Sequence, residues 1–151
     1  MKILALDSGE ARIGVARTDD LGLMAHPVET VASHPRPAAL ERIAELYRSS
    51  RGEMLVIGLP VRQDGTEGTA AEKVRRFASS LEKVLPAGTK IHFHDEYRST
   101  EVAKGQLRAA GRKEKNQRPI IDQAAAVVIL QEYLDWHHGA SQLLADGELL
   151  P

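Results

Sequence analysis

Apolar positions fall in short blocks over the first sixty residues. Residues 2–6 (KILAL) are nearly all apolar and too few for a helix, the pattern of a buried strand. Ser8-Gly9-Glu10-Ala11 supplies turn residues, and 12–18 predict a second strand. Gly14 inside it marks a close approach by another backbone or a ligand. Residues 24–31 predict a third strand, which Pro27 places near a sheet edge. The period then changes from two to 3.6. Leu40, Ile43, Ala44 and Tyr47 share one helical face over 37–50, and Pro37 suits the first turn. Residues 54–59 (MLVIGL) predict a fourth buried strand, which Pro60 stops.

A glycine-bearing loop, VRQDGTEG, precedes Thr69-Ala-Ala-Glu72, which has capping-box spacing. The helix it opens carries Val74, Phe77, Ala78, Leu81 and Leu85 as its stripe and ends at Pro86 and Gly88. Residues 90–95 predict a fifth strand, and Ser99 or Thr100 could cap a helix running to about Ala110. GRKEKNQRP reads as a polar, basic loop, and a last helix runs from about Pro119 to Trp136. From His137 no clear period remains. The expectation is one domain over 1–138 and a loose tail over 139–151. The element order predicts an α/β fold: a five-stranded mixed sheet, its first three strands antiparallel, with helices on both faces.

Composition narrows the classes. With 42% hydrophobic and 27% charged residues, the 151-residue chain suits one globular domain. Aromatics are only 4%, which argues against a surface built mainly from stacked bases. There is no cysteine, so disulfides and thiolate metal sites are excluded. No run approaches the roughly 18 apolar residues of a membrane helix, and Asp7 ends the first run too early for a signal peptide. The chain therefore reads as cytosolic with no membrane partner. Its net charge of −1 hides a segregation. Arg98, Lys104, Arg108, Arg112, Lys113, Lys115 and Arg118 face only Glu101 and Glu114 over 98–118, whereas Glu132, Asp135, Asp146 and Glu148 meet no Lys or Arg from 132 onward. The basic segment is compatible with a polyanion or with a solvated loop.

Three carboxylates stand out. Asp7 closes a central strand, where α/β sheets tend to bind ligands, although Asp-Ser-Gly is also good turn chemistry. Glu96 follows the fifth strand and should share that sheet edge. A one-residue shift would put its neighbour Asp95 inward instead. Asp122 lies in the first turn of IIDQAAAVVILQEYL, on one face with Ala126, Ile129 and Tyr133 of a helix that is apolar all round from Ala124 to Leu130. An acid there must be paired, hydrogen-bonded or metal-bound, or else answer the helix dipole. Three converging acids without cysteine suit Mg²⁺ or Mn²⁺. Two such ions roughly 4 Å apart support hydrolysis of a phosphodiester. His92 and His94 share a strand face, which would allow a metal role, but a packing or surface role is the preferred reading. The Gly58–Gly68 loop lacks the Lys-Ser/Thr of a P-loop, though its glycines could let backbone amides approach a phosphate.

Several blocks together resemble the YqgF (RuvX) family. They are Asp7-x-Gly9-x-x-Arg12-Ile-Gly14-Val-Ala16, Gly58-Leu-Pro60 with Asp64-Gly65-x-x-Gly68, Asp95-Glu96, and Asp122-x-x-Ala125 with Ile129-Leu130-Gln131 and Tyr133-Leu134-Asp135. The resemblance implies a ribonuclease H-like fold. It also implies a nuclease for the 5′ end of pre-16S ribosomal RNA or a Holliday-junction resolvase, with metal-binding acids at Asp7, Glu96 and Asp122. Two positions depart from the family pattern. Tyr97 stands where the family has arginine, with Arg98 following, and Arg118-Pro119 lies where a lysine often precedes the last aspartate.

The leading expectation is a divalent-metal-dependent endonuclease in which Asp7, Glu96 and Asp122 hold Mg²⁺ or Mn²⁺. Arg12, Arg98, Arg112, Lys113, Lys115 and Arg118 would bind the nucleic-acid backbone. Pre-ribosomal RNA and branched DNA both fit, because backbone contacts carry little sequence information. A resolvase would be a homodimer that cuts two strands, which a processing nuclease need not be. The competing classes are a phosphotransferase of the actin-like kind and a non-catalytic factor in ribosome biogenesis or recombination.

Overall fold

The computed structural model describes residues 1–96 and 114–145, with side chains described for 1–96 and 123–138. Five strands form one sheet: β1 (Ile3–Ser8), β2 (Arg12–Thr18), β3 (Ala25–Ala32), β4 (Met54–Pro60) and β5 (Lys90–Glu96), in the order β3-β2-β1-β4-β5. β1, β2 and β3 form an antiparallel meander, and β4 and β5 run parallel to β1. Two helical crossovers account for the parallel half, α1 (Arg36–Ser49) before β4 and α2 (Thr69–Glu82) before β5. The third helix, α3, spans Glu114–Ala145. The mixed five-stranded sheet expected from the residue pattern is the one observed, and β3, carrying Pro27, is an edge strand.

Side-chain alternation sends the two halves of each strand's apolar set to different helices. Leu4, Leu6, Ile13, Val15, Leu55 and Ile57 pack with Ile43 and Tyr47 of α1 and Val74, Phe77 and Leu81 of α2. Ile3, Ala5, Ala16 and Val56 face Ala126, Ile129, Leu130, Tyr133 and Leu134 of α3. Ala5 and Ala16 are fully buried, and their short side chains let α3 lie close to the sheet. Helices thus cover both faces.

Two local expectations need correction. Thr69 is the first helical residue, not the cap. Gly68 holds the cap position and no side chain caps the turn, so the Thr69/Glu72 spacing does not act as a capping box. The last helix is also longer than the 119–136 expected at both ends. Glu114–Arg118, read as loop, are helical, and the helix continues through Pro119, which has no N–H to give the Lys115 carbonyl. Residues 139–145, expected in a loose tail, continue the helix, because Ala140, Gln142, Leu143, Leu144 and Ala145 are strong helix formers that tolerate one Gly139. The expected helix over 99–110 lies outside the described residues.

Candidate functional site

Asp7 is a strand residue. The β1–β2 turn closes by a backbone bond, Gly9 N–H to the Arg12 carbonyl at 2.8 Å, and Asp7 precedes it within β1, paired with Gly14. Asp7 follows Ile3 and Ala5 on the face covered by α3. Arg12 and Gly14 share that face with Ala16 on β2. Ala5 pairs with Val56 and Leu6 with Ile57, so Asp7 stands beside Gly58, one step beyond the paired residues.

Glu96 reaches the same place from β5. Its Cα pairs with Pro60, and its carboxylate folds back over Gly58. A Cβ on Gly58 would lie 2.7 Å from Glu96 Oε2 and 2.6 Å from Ile129 Cδ1. The missing side chain is therefore the space in which the carboxylate sits, between β4 and α3. One strand spacing, about 5 Å, separates this cradle from the β1 backbone at Asp7. Asp95 takes the opposite face. It is exposed beside Arg75 of α2, whose guanidinium carbon lies 4.8 Å from the centroid of the Phe93 ring. The inward acid at the end of β5 is Glu96.

The side chain of Asp122 lies outside the described residues, but its backbone belongs to α3, two turns before Ile129. The next residue, Gln123, donates from Nε2 to Thr30 Oγ1 at 3.0 Å. Thr30 pairs with Gly14, which pairs with Asp7, so Gln123 sits over the row of the sheet that contains Asp7. Farther along, the Tyr133 hydroxyl contacts Met54 Sδ at 3.5 Å, at the start of β4. The helix therefore runs antiparallel to β1 and β4, and its Asp122 end lies at the strand ends that carry Asp7 and Glu96. Among the described residues, no three histidine, aspartate or glutamate side chains form a metal-holding group.

Of the expected backbone-binding residues, Arg12 is on the face of the acids. Lys115 and Arg118 lie in the first turns of α3, with side chains outside the described residues. Arg98, Arg112 and Lys113 lie outside the described residues altogether, as does Tyr97. His92 and His94 point to the α3 face. The ring of His92 packs 5.0 Å from that of Tyr133, and His94 Nε2 lies 2.8 Å from Glu132 Oε2. Burial, reinforced by the neighbouring His94, holds the His92 imidazole below the ordinary histidine range. Gly58 as a cradle is absent from the reading by residue type. Its signal was a glycine interrupting the apolar run MLVIGL.

Comparison with known proteins decides the family. Residues 1–136 match the model of the RuvX family, described as Holliday junction resolvase. The chain belongs to the RuvX family. A relative from Streptomyces avermitilis, named "Putative pre-16S rRNA nuclease", is 47% identical over 144 residues, covering 95% of this chain and 92% of the relative. One of the same name from Syntrophus aciditrophicus is 44% identical, covering 89% of each. Among solved structures, Thermus thermophilus RuvC in complex with a Holliday junction substrate is similar over 92% of this chain and 96% of its own, with TM-score 0.58 and 16% identity. The fowlpox virus Holliday junction resolvase gives TM-score 0.54 at 16% identity, over 89% of this chain and 99% of that one. This RuvX chain thus has the ribonuclease H-like fold of those resolvases.

Proposed function

We propose that this RuvX chain is a divalent-metal-dependent endonuclease, and that it processes the 5′ end of pre-16S ribosomal RNA. The observation that supports the reading is that the Glu96 carboxylate lies over Gly58, on the strand beside Asp7 and on the same sheet face, at the end of the sheet where the backbone of Asp122 lies in α3. Its relatives' names and its family support the nuclease class. The donor set fits a hard cation: all three groups are carboxylates, and the Gly58 cradle holds one of them in place. Asp7, Glu96 and Asp122 would hold Mg²⁺ or Mn²⁺. When bound, the ion activates water and offsets charge on the phosphate undergoing hydrolysis. Arg12, on the same face, would draw the phosphate backbone across the acids, with Arg98, Arg112, Lys113, Lys115 and Arg118 extending the basic track. Among the described residues, α3 covers this face below the acids, and substrate would approach at the strand ends.

A second reading, cleavage of a four-way DNA junction by a homodimer, is favoured by the family description and by the fold shared with two junction resolvases. Cleavage of a pre-16S 5′ fragment and a four-way junction, assayed side by side with Mn²⁺, separates the two. We expect the RNA to be cut at a discrete site, and Asp7→Asn to lower the rate by about 100-fold or more, above the loss typical of a residue that only orients a metal ligand. Equal cleavage by the native and Asp7→Asn proteins would overturn the nuclease assignment.

A further inference from the structure

Arg62 lies two residues beyond Pro60, the residue that pairs with Glu96, and so at the sheet end that carries the acids. Its segment is a tight return. Gly65 N–H donates to the Arg62 carbonyl at 2.8 Å, Arg62 N–H donates to the Thr66 carbonyl at 2.8 Å, and Val61 bridges to Glu67. Gly65 has φ of 85°, which favours glycine. Asp64 Oδ1 accepts from both the Thr66 amide, at 2.9 Å, and the Thr66 hydroxyl, at 2.6 Å. The Thr66 oxygen in turn accepts from Arg62 Nη1 at 3.3 Å, and the Glu67 carbonyl accepts from the same nitrogen at 3.5 Å. The guanidinium lies against Gly68, where a Cβ would fall 2.7 Å from Nη2 and 3.1 Å from Cζ.

Lys73 and Arg75 of the helix that follows this loop are engaged by acids: Arg75 makes a two-pronged pair with Glu67, and Lys73 pairs with Glu10. Among the described residues, Arg62 has no carboxylate within ion-pair distance. Asp64, in the same turn, has its Oδ1 committed to Thr66. Arg62 is therefore exposed, held in place by neutral oxygens and still able to present its charge.

We propose that Arg62 is a backbone-phosphate contact for the nucleic-acid substrate, seated by Thr66 and Gly68 on the other side of Asp7 from Arg12. The strand order puts Arg12 on β2, Asp7 on β1, Arg62 just past β4 and Glu96 on β5, so a phosphate chain laid across the strand ends meets a guanidinium on either side of Asp7. Planar guanidinium geometry suits two oxygens of one phosphate, which a lysine cannot match. Gly68 positions the group without touching substrate.

The inference rests on the nucleic-acid reading above, and binding measurements separate the failure of one from the failure of the other. Fluorescence anisotropy would follow two labelled probes, a 5′-extended RNA stem-loop and a four-way DNA junction, over a salt series. We expect Arg62→Ala to weaken binding several-fold, alike for both probes, and to lower the slope of log K against log salt by about one. Arg62→Lys should recover the slope and only part of the affinity. Gly68→Ala should weaken the native protein and have no further effect beside Arg62→Ala, because its action runs through the guanidinium. If the native protein binds a probe and Arg62→Ala matches it in affinity and slope, the inference is wrong. If the native protein binds neither probe, the nucleic-acid reading falls and takes the inference with it. Should Gly68→Ala fail to fold, the two Arg62 variants decide the matter alone.

Discussion

At the scale of single residues, one glycine organises the site. Gly58 sits between Asp7 and the Glu96 carboxylate, and its empty Cβ position is bounded by that carboxylate and by Ile129. Ile129 is completely buried, so a methyl at 58 displaces the carboxylate more readily than the core. Gly58→Ala should therefore lower cleavage by more than it lowers stability. We expect a loss of about tenfold or more in rate, with overpacking costing about 1–3 kcal/mol in a urea titration. Native rates in a variant of unchanged stability would show that the cradle has no role. Residue-level reading of the sequence singles out Asp7 and Glu96 by their places at strand ends, and Asp122 by its apolar helix. It left Asp95 and Glu96 undecided, because alternation needs a strand boundary that the sequence sets only to within a residue or two. The pairing of Pro60 with Glu96 supplies that boundary.

At the scale of elements, α3 is both a wall of the core and the carrier of Asp122. Its apolar stretch from Ala124 to Leu130 was legible as a buried helix. Its start was not, because Pro119 looks like a boundary until the turn before it is seen. The basic residues Lys115 and Arg118 consequently belong to a helix and not to a loop. The capping-box spacing at Thr69 misled for a related reason: a spacing matches whether or not the first residue is already helical. The contact of β5 with α3 also has a pH signature. His92 packs on Tyr133 beside His94, with Glu132 and Asp95 nearby, and its folded form favours the neutral ring. A histidine held below its ordinary value of 6.5 contributes stability that is complete above that pH and is lost as pH falls toward the folded value. Glu29, held low by its hydrogen bond to Arg42, loses its contribution only below the ordinary glutamate value of 4.5, so its loss begins at a lower pH than that of His92. Urea midpoints at pH 7.5 and 5.5 should therefore drop in the native protein and drop less in His92→Gln. An unchanged drop in the variant would assign the effect elsewhere.

At the scale of the whole molecule, the sheet works as a two-sided device. One face is closed by α1 and α2 and supplies stability. The other is closed by α3 except at the strand ends, where Asp7 stands on β1 and the Glu96 carboxylate lies over Gly58. The fold class was readable from the alternation of strand and helix periods. That β1 and β5 end at the same edge of the sheet was readable only as an expectation, because no local pattern reports which strand ends lie together. The parallel crossovers through α1 and α2 put them there. No helix among the described residues is long and apolar enough to cross a membrane.

The central claim is that Asp7 and Glu96 hold one cation together, and direct Mn²⁺ binding tests it without reference to any substrate. Isothermal titration of the native protein, Asp7→Asn and Glu96→Gln with MnCl₂ should give a binding isotherm for the first and loss of the same site in both variants. Native stoichiometry and affinity in either folded variant would contradict the claim.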